Sequence, residues 1–184
     1  MKTTPIYQVD VFTSEVFGGN PAAVMPLEAW LSEQQLQAIA LENNLSETAF
    51  VVPLPDAPAT SFYVPNDTNY MVELTDEAAV LETAPDLRKL AQLGNQGLIV
   101  TAPGSDCDFV SRYFAPGAGI DEDPVTGSIH SVLTPYWAEK LGKNTLYARQ
   151  LSKRGGELRC ELRGERVAIA GQAAFYMEGA VSLP

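Results

Sequence analysis

The sequence has little of the chemistry that proteins use for metal sites, disulfides and nucleic acids. Its 184 residues include one histidine and two cysteines, too few for the usual zinc site of four nitrogen and sulfur ligands. Cys107 and Cys160 allow one disulfide but no framework, and we expect two free thiols. Twelve Lys and Arg stand against 23 Asp and Glu, a net charge of −11. No basic face for nucleic acid is therefore expected.

Long apolar runs are also missing. Every apolar stretch is shorter than the roughly 20 residues that a membrane-spanning helix needs. The first residues, MKTTPIYQVDVFT, alternate like a strand and lack the unbroken apolar region of a secretory signal. We therefore expect a cytoplasmic protein with no membrane partner. The hydrophobic share, 46%, is ordinary for a globular chain that buries a sizeable core.

The hydrophobic pattern predicts an α+β fold. Residues 6–12 alternate like a strand, and residues 145–181 read as a run of strands separated by turns that contain glycine. A helix is predicted over residues 33–42, opened by a capping box of Ser32 and Gln35. The longest helical pattern covers residues 127–141.

Proline interrupts the chain at two informative places. Pro135 lies inside the longest helical pattern, where we expect a kink or a break. Pro53, Pro55 and Pro58 mark the clearest change of composition and a candidate junction. We therefore divide the chain into residues 1–58, a partial first lobe, and residues 59–184, a more complete second lobe.

A first candidate site is the sequence ENNLSETAF of residues 42–50, which has a glutamate where a helix ends and a strand begins. A carboxylate between a helix and a strand is held by both elements, and partial burial would move its pKa toward neutrality for acid–base work. The alternative is an ordinary surface glutamate beside a loop.

A second candidate lies in DEDPVTGSIH, residues 121–130. Backbone N–H groups at a helix start lack intrahelical partners and carry the positive end of the helix dipole, so they suit a carboxylate or phosphate. Asp123 would be a second acid–base group. The alternative is a helix cap with a solvated acidic loop. No phosphate-loop motif occurs in the chain.

A third candidate is the turn FGGNP at residues 17–21, where Asn20 offers a donor and an acceptor. The alternative is a turn with no further role. Ser128 and His130 are two positions apart at a helix start and do not face each other, which argues against a serine hydrolase.

Together these motifs resemble the PhzF family, the phenazine biosynthesis-like proteins. The resemblance is carried first by VDVFT at residues 9–13, FGGNPAAV at residues 17–24 and ENNLSETAF at residues 42–50. It continues more loosely through residues 69–74, 85–87, 97–102, 109–116 and 122–128.

The resemblance implies a diaminopimelate-epimerase-like fold: two curled, antiparallel sheets, each around a central helix, with the active site between them. It implies an isomerase without metal or organic cofactor; characterised members include an isomerase of trans-2,3-dihydro-3-hydroxyanthranilate. By position, Glu47 and Asp123 match the family's catalytic carboxylates, and the amides of Gly127 and Ser128 match its seat for the substrate carboxylate. We take as further substrate-binding candidates, from the same motifs, Asn20, Ser46 and Thr126.

The chain departs from the family pattern in its first half. A Cys-Gly-His-Ala-Thr-type motif, which opens the central helix of that half and carries a catalytic histidine, has no counterpart here. His130 belongs to the second-half motif and does not replace it. The first half therefore looks shortened, whether as a natural variant, an engineered or rearranged form, or a sequence that omits a segment.

Two functions remain open at this point. One is an isomerase that moves a proton on a small cyclic or amino-acid-like carboxylate. The other is a catalytically incomplete module that binds a carboxylate or a partner. Under either, a shortened half leaves sheet edges and apolar surface to cover, so we expect a homodimer.

Overall fold

The computed structural model describes residues 2–52 and 69–183. Within these residues the strands form one sheet of four and one of six. The strands are β1 Lys2–Val11, β2 Asn20–Pro26, β3 Glu47–Val51, β4 Tyr70–Glu73, β5 Leu98–Pro103, β6 Phe109–Phe114, β7 Thr145–Gln150, β8 Gly156–Arg163, β9 Arg166–Ala170 and β10 Ala173–Leu183. The α-helices are α1 Glu33–Asn43, α2 Glu77–Leu81, α3 Leu87–Leu90 and α4 His130–Leu141. The α+β prediction is confirmed.

The first sheet has the strand order β10-β1-β2-β3. Its edge strand β10 comes from the end of the chain and pairs antiparallel with β1. The predicted second lobe, residues 59–184, includes this tail, but the hydrogen bonds of the tail are with the first sheet. The predicted boundary at residues 58 and 59, the three junction prolines and a strand expected at residues 61–64 lie outside the described residues.

The second sheet has the strand order β4-β5-β6-β7-β8-β9. Most neighbouring strands of both sheets are antiparallel, as predicted, but β2–β3, β4–β5 and β6–β7 are parallel. Each parallel pair is joined by a crossover that contains helix, because a tight hairpin cannot connect parallel strands. Both sheets are thus mixed, with antiparallel pairs in the majority.

The larger core lies between the second sheet and α4. Trp137 of α4 stacks on Phe109 of β6 with ring centroids 5.7 Å apart and planes 4° from parallel. Its indole N–H donates to Thr101 Oγ1 at 3.0 Å, so the buried polar atom of the ring is satisfied. Leu133 and Ile129 are also buried in this cluster. Helix α4 is therefore the central helix of the second half.

The start of α4 differs from the prediction. The helix begins at His130, three residues later than expected. His130 and Ser131 donate to the carbonyls of Gly127 and Ser128, at 3.1 and 3.0 Å, so residues 127–129 form a tighter turn that leads into the helix. Pro135 does not break the helix, which is continuous to Leu141.

Helix α1 covers the first sheet only lightly. Its predicted capping box is confirmed: Ser32 Oγ accepts from the Gln35 N–H, and the Gln35 side chain accepts from the Ser32 N–H. The helix ends at Asn43, and the C-cap residue Asn44 has left-handed backbone angles. None of the described side chains of α1 is buried. The small cluster beneath it consists of Ile6, Ala23 and Met25.

An ion pair joins the two halves. Arg154, between β7 and β8, donates to Asp10 Oδ1 of β1 at 2.9 Å and to the carbonyls of Gly18 and Gly19 at 2.8 Å each. The other Asp10 oxygen accepts from the Phe17 N–H at 2.7 Å. Asp10 is buried, so these bonds satisfy its charge.

Both cysteines have free thiols, as expected. Of the helices that the structure describes, none has the length and apolar character to cross a bilayer.

Candidate functional site

Glu47 lies at the first position of β3, where the chain leaves the turn after α1. It pairs with Ala22 of β2 in parallel register. Asn20 is two residues earlier on β2, so its side chain shares the same face of the sheet. The Glu47 side chain reaches solvent and is partly enclosed, whereas Asn20 is buried. The first sheet thus presents an acid and an amide on one face.

Asp123 is the second carboxylate, and the loop before α4 holds it in a buried position. Its backbone N–H donates to the Tyr113 carbonyl at 3.0 Å. Its Oδ2 accepts a hydrogen bond from the Thr126 hydroxyl at 2.6 Å. Its Oδ1 is buried and has no hydrogen-bond partner among the described residues. Since buried polar atoms are nearly always paired, the unpaired oxygen indicates a place for a ligand atom or water.

The pKa values of Glu47 and Asp123 are both raised. Burial, and then the charge of Asp123, raise the pKa of Glu47. Burial raises the pKa of Asp123, and the hydrogen bond from Thr126 partly opposes this. Within the described residues no cation forms an ion pair with either carboxylate. Two interacting carboxyls whose pKa values are both raised are suited to holding and transferring a proton.

The residues of the predicted carboxylate seat, Gly127 and Ser128, lie in the turn that follows Asp123 and leads into α4. The backbone N–H groups of Gly127, Ser128 and Ile129 have no acceptor among the described residues. They stand at the positive end of the α4 dipole. The N–H of Thr126, by contrast, already donates to Gln150 Oε1 at 2.8 Å. The available amides therefore begin at Gly127.

Packing alone does not require glycine at position 127. A Cβ there would meet only the Phe12 ring, at an ordinary 3.6 Å. At Gly19, by contrast, φ is +55° and a Cβ would fall on the Val11 carbonyl oxygen. The backbone fold demands the glycine at position 19, whereas position 127 has room that a ligand would use.

The remaining predicted residues fall in different places. Ser46 is half-buried in the turn just before Glu47. The Oδ1 of Asn20 is buried and lacks a partner within the described part of the chain. The hydroxyl and N–H of Thr126 both bond inside the protein, to Asp123 and Gln150. Thr126 therefore contributes by holding its neighbours.

Three residues that the sequence analysis missed build the site. Phe12 has a positive φ of 64°; its N–H donates to Gln172, its carbonyl accepts from Glu157, and its ring reaches the second core. Arg112 holds Glu122 through two hydrogen bonds of 2.6 and 3.1 Å and thereby anchors the loop beside Asp123. Gln150 bonds to both Asp123 and Thr126. Phe12 and Arg112 both lie in stretches that carry the resemblance, but only the fold brings Arg112 and Gln150 to the loop.

A well-defined cavity among the described residues lies elsewhere. It measures about 740 Å³ and is lined mainly by the β7–β8 connection and the chain after β1. Glu47 and Asp123 do not line it. Arg154 stands in its wall but is engaged by Asp10. The described residues contain no cluster of three or more side chains arranged to hold a metal ion.

Comparison with known proteins gives one consistent result. The sequence profile described as "Phenazine biosynthesis-like protein" (PhzC-PhzF) matches residues 9–62 and 59–179. A Pseudomonas aeruginosa protein described as an uncharacterized isomerase is 38% identical over 255 residues, covering 97% of this chain and 98% of the relative. A PhzF-family crystal structure from Enterococcus faecalis has a TM-score of 0.86 at 33% identity, covering 99% of this chain and 100% of the other.

A more distant structure supports the fold alone. A protein described as a predicted epimerase, from Pseudomonas aeruginosa, has a TM-score of 0.67 at 13% identity, with 98% of this chain and 100% of the other covered. The fold is the diaminopimelate-epimerase-like one that the resemblance implied.

The comparisons also bear on the middle of the chain. The match to the P. aeruginosa isomerase spans 255 residues, whereas this chain has 184. Part of the relative therefore has no counterpart here. The family profile matches in two pieces that meet near residue 60, close to the proline-rich stretch.

Proposed function

Because the chain belongs to the PhzC-PhzF family of phenazine biosynthesis-like proteins, we propose that it is a cofactor-independent isomerase. The reaction is the movement of a proton between carbon atoms of a small cyclic or amino-acid-like carboxylate. Glu47 removes and returns the proton, Asp123 assists through its unpaired Oδ1, and the amides of Gly127 and Ser128 hold the carboxylate. Asn20 of β2 and Ser46 of the turn before β3 contact the substrate from the first half.

One observation carries this proposal: the carboxyls of Glu47 and Asp123 interact electrostatically and no described cation pairs with either, while Asp123 Oδ1 is buried without a partner among the described residues. An acid whose pKa is raised toward neutrality both accepts and returns a proton easily, because neither protonation state is strongly favoured. A purely structural carboxylate would have its charge paired, as Asp10 has with Arg154.

The direct test is Glu47→Gln. The amide keeps the size of the side chain but cannot carry the proton, so turnover should fall by at least the ~10²–10⁴-fold that acid–base catalysis contributes. The matched control is Glu42→Gln, an exposed carboxylate of α1, which should retain activity. Full turnover in Glu47→Gln, measured on carboxylates that the wild type converts, would exclude Glu47 as the proton carrier.

The carboxylate seat is tested separately, by titration of small carboxylates followed through amide chemical shifts. The amides of Gly127 and Ser128 should move first. Gly127→Val should abolish binding with the fold intact, and Ser128→Ala should cost less because its N–H remains. The helix dipole adds only about 0.3–1 kcal/mol for an anion, so weak binding is expected unless other contacts contribute. Shifts confined to other amides would place the seat elsewhere.

The second candidate function is a carboxylate-binding or interaction module without catalysis. The observation that favours it is the part of the isomerase relative that has no counterpart in this chain; in the family pattern, the missing first-half motif carries a histidine. Under this alternative the seat at Gly127 and Ser128 binds carboxylates, while wild type and Glu47→Gln are equally inactive on every substrate. An intact mass of the protein establishes whether the middle segment is absent from the molecule.

We also propose that the protein is a cytoplasmic homodimer. The first half exposes large apolar side chains that a second copy would cover, among them Phe17, Trp30, Leu41, Val51 and Phe175. Exposed apolar area of this kind marks interaction surfaces. Sedimentation at micromolar concentration should show a species of twice 19.9 kDa, and a compact monomer alone would contradict the dimer.

A further inference from the structure

Strand β7 places a polar residue where its pattern requires an apolar one. Its inward positions are Leu146, Ala148 and Gln150, and all three are buried. The first two pack in the core around α4. A buried amide without hydrogen bonds costs free energy, so Gln150 is tolerated only where its donors and acceptor are used.

The Gln150 side-chain amide forms hydrogen bonds to the loop that contains Asp123. Its Oε1 accepts from the Thr126 N–H at 2.8 Å. Its Nε2 donates to the Asp123 carbonyl at 2.9 Å and to Thr126 Oγ1 at 3.1 Å. A backbone N–H needs an acceptor and a backbone carbonyl needs a donor, so only this orientation of the amide satisfies both.

The orientation of the Thr126 hydroxyl follows from that of Gln150. Because Thr126 Oγ1 accepts a hydrogen bond from the Gln150 N–H, the hydroxyl proton of Thr126 is free to point at Asp123 Oδ2, 2.6 Å from Oγ1. On the other side, the Thr126 carbonyl accepts from the ring N–H at Nδ1 of His130 at 2.7 Å. Thr126 is thus held at its N–H, its hydroxyl and its carbonyl.

We propose that Gln150 is a positioning residue of the site, which fixes the Thr126 hydroxyl as a donor to Asp123 Oδ2 and so leaves Oδ1 as the atom that meets the ligand. The assignment of Oδ1 to the ligand rests on the proposed function. The hydrogen-bond relay from Gln150 through Thr126 to Asp123 does not.

The relay has a measurable consequence in the free protein. The bond from Thr126 stabilises the charged form of Asp123 and so lowers its pKa against the effect of burial. The other ionisable groups around Asp123 are Glu47 from β3, His130 from α4, whose pKa burial lowers to about 4, and Glu122, which Arg112 holds. Loss of the relay should therefore raise the titration midpoint of Asp123.

The experiment is a pH titration of the Asp123 carboxyl carbon by NMR in the ligand-free protein, with the signal assigned by its loss in Asp123→Asn. Thr126→Val, which keeps the shape but removes the hydroxyl, should raise the midpoint, and Thr126→Ser should keep it. Gln150→Met should also raise the titration midpoint of Asp123, because the Thr126 hydroxyl then no longer accepts from Gln150 and its proton is no longer held toward Asp123 Oδ2. Thr134→Val is the matched control: it removes a buried hydroxyl that bonds the His130 carbonyl, and it should leave the midpoint unchanged.

A double variant distinguishes positioning from packing. If Gln150 acts through Thr126, Gln150→Met should add little to the shift already caused by Thr126→Val. Should Gln150→Met fail to fold, Gln150→Asn serves instead, because its amide is one methylene shorter, adds no charge beside Asp123 and cannot reach the same three partners. A wild-type midpoint in a folded Gln150 variant, or a full additional shift in the Thr126→Val background, would overturn the inference.

The titration needs no turnover, so its result is independent of the activity assay. An inactive wild type with the expected midpoints would refute the isomerase proposal and leave the relay standing. An active wild type with unchanged midpoints would refute the relay alone.

Discussion

Each half of the molecule packs a helix on a sheet, but the hydrophobic core between helix and sheet is much larger in the second half than in the first. The second sheet wraps α4, and their shared core contains large buried side chains such as Trp137, Phe109 and Leu133. The first sheet has a core of only Ile6, Ala23 and Met25, with α1 lying on it without a buried residue. The difference indicates that the second half is stabilised by its own core. The first half depends on hydrogen bonds to the second half, such as Arg154 to Asp10, and on a partner surface that would cover its exposed apolar side chains.

The strongest test of this comparison removes the centre of the second core. Trp137→Ala deletes the buried ring that stacks on Phe109 and should lower the free energy of unfolding by about 3–5 kcal/mol. The paired variant Met25→Ala, in the smaller first core, should cost less because that site is close to surface that can relax. Denaturant unfolding of both variants measures this, and equal losses would contradict the contrast between the halves.

The next test breaks the bond between the halves. Arg154→Met removes the partner of buried Asp10 and leaves its charge uncompensated, which should cost about 3 kcal/mol. Protection from hydrogen exchange should fall mainly in β1 and β2, since the second core is untouched. The control is Arg163→Met, whose ion pair with Glu161 is exposed and should matter little. Uniform loss of protection across both sheets would show that the halves are not separately stabilised.

A third test uses pH to destabilise the second half selectively. Burial lowers the pKa of His130 from 6.5 to about 4, so the unfolded chain binds a proton in this range that the folded chain does not. Stability from this residue is fully present above pH 6.5 and is lost as pH falls toward 4, by up to about 3 kcal/mol. His130→Asn keeps a donor for the Thr126 carbonyl without titrating. The stability difference between wild type and this variant should shrink over that range, and a constant difference would refute the assignment.

The smallest effect is expected on the surface of α1. Leu41 is 77% exposed, so Leu41→Ser should change the free energy of unfolding of the monomer by less than about 0.5 kcal/mol. If the first half is covered by a second copy, the same variant should weaken the dimer in sedimentation. A clear loss of monomer stability instead would mean that α1 is packed more tightly than its exposed side chains indicate.

Local signals in the sequence determined much of the architecture. The capping box at Ser32 and Gln35 fixed the start of α1, since it depends on residues three apart. Alternation identified β1 and the strands of the tail. Similarity of motifs indicated the family and singled out Glu47 and Asp123. Each of these depends on neighbouring residues or on matching stretches of chain, which a linear sequence contains in full.

Tertiary structure decided what depends on distant residues. The strand β10 joins the first sheet because the chain end returns to β1, which composition does not reveal. The start of α4 moved to His130 because Gly127 and Ser128 form a tighter turn. Gln150 meets Thr126 across 24 residues of chain, and Arg154 meets Asp10 across 144. Hydrogen bonds and burial act through space, so the roles of these residues exist only once the sheets are assembled.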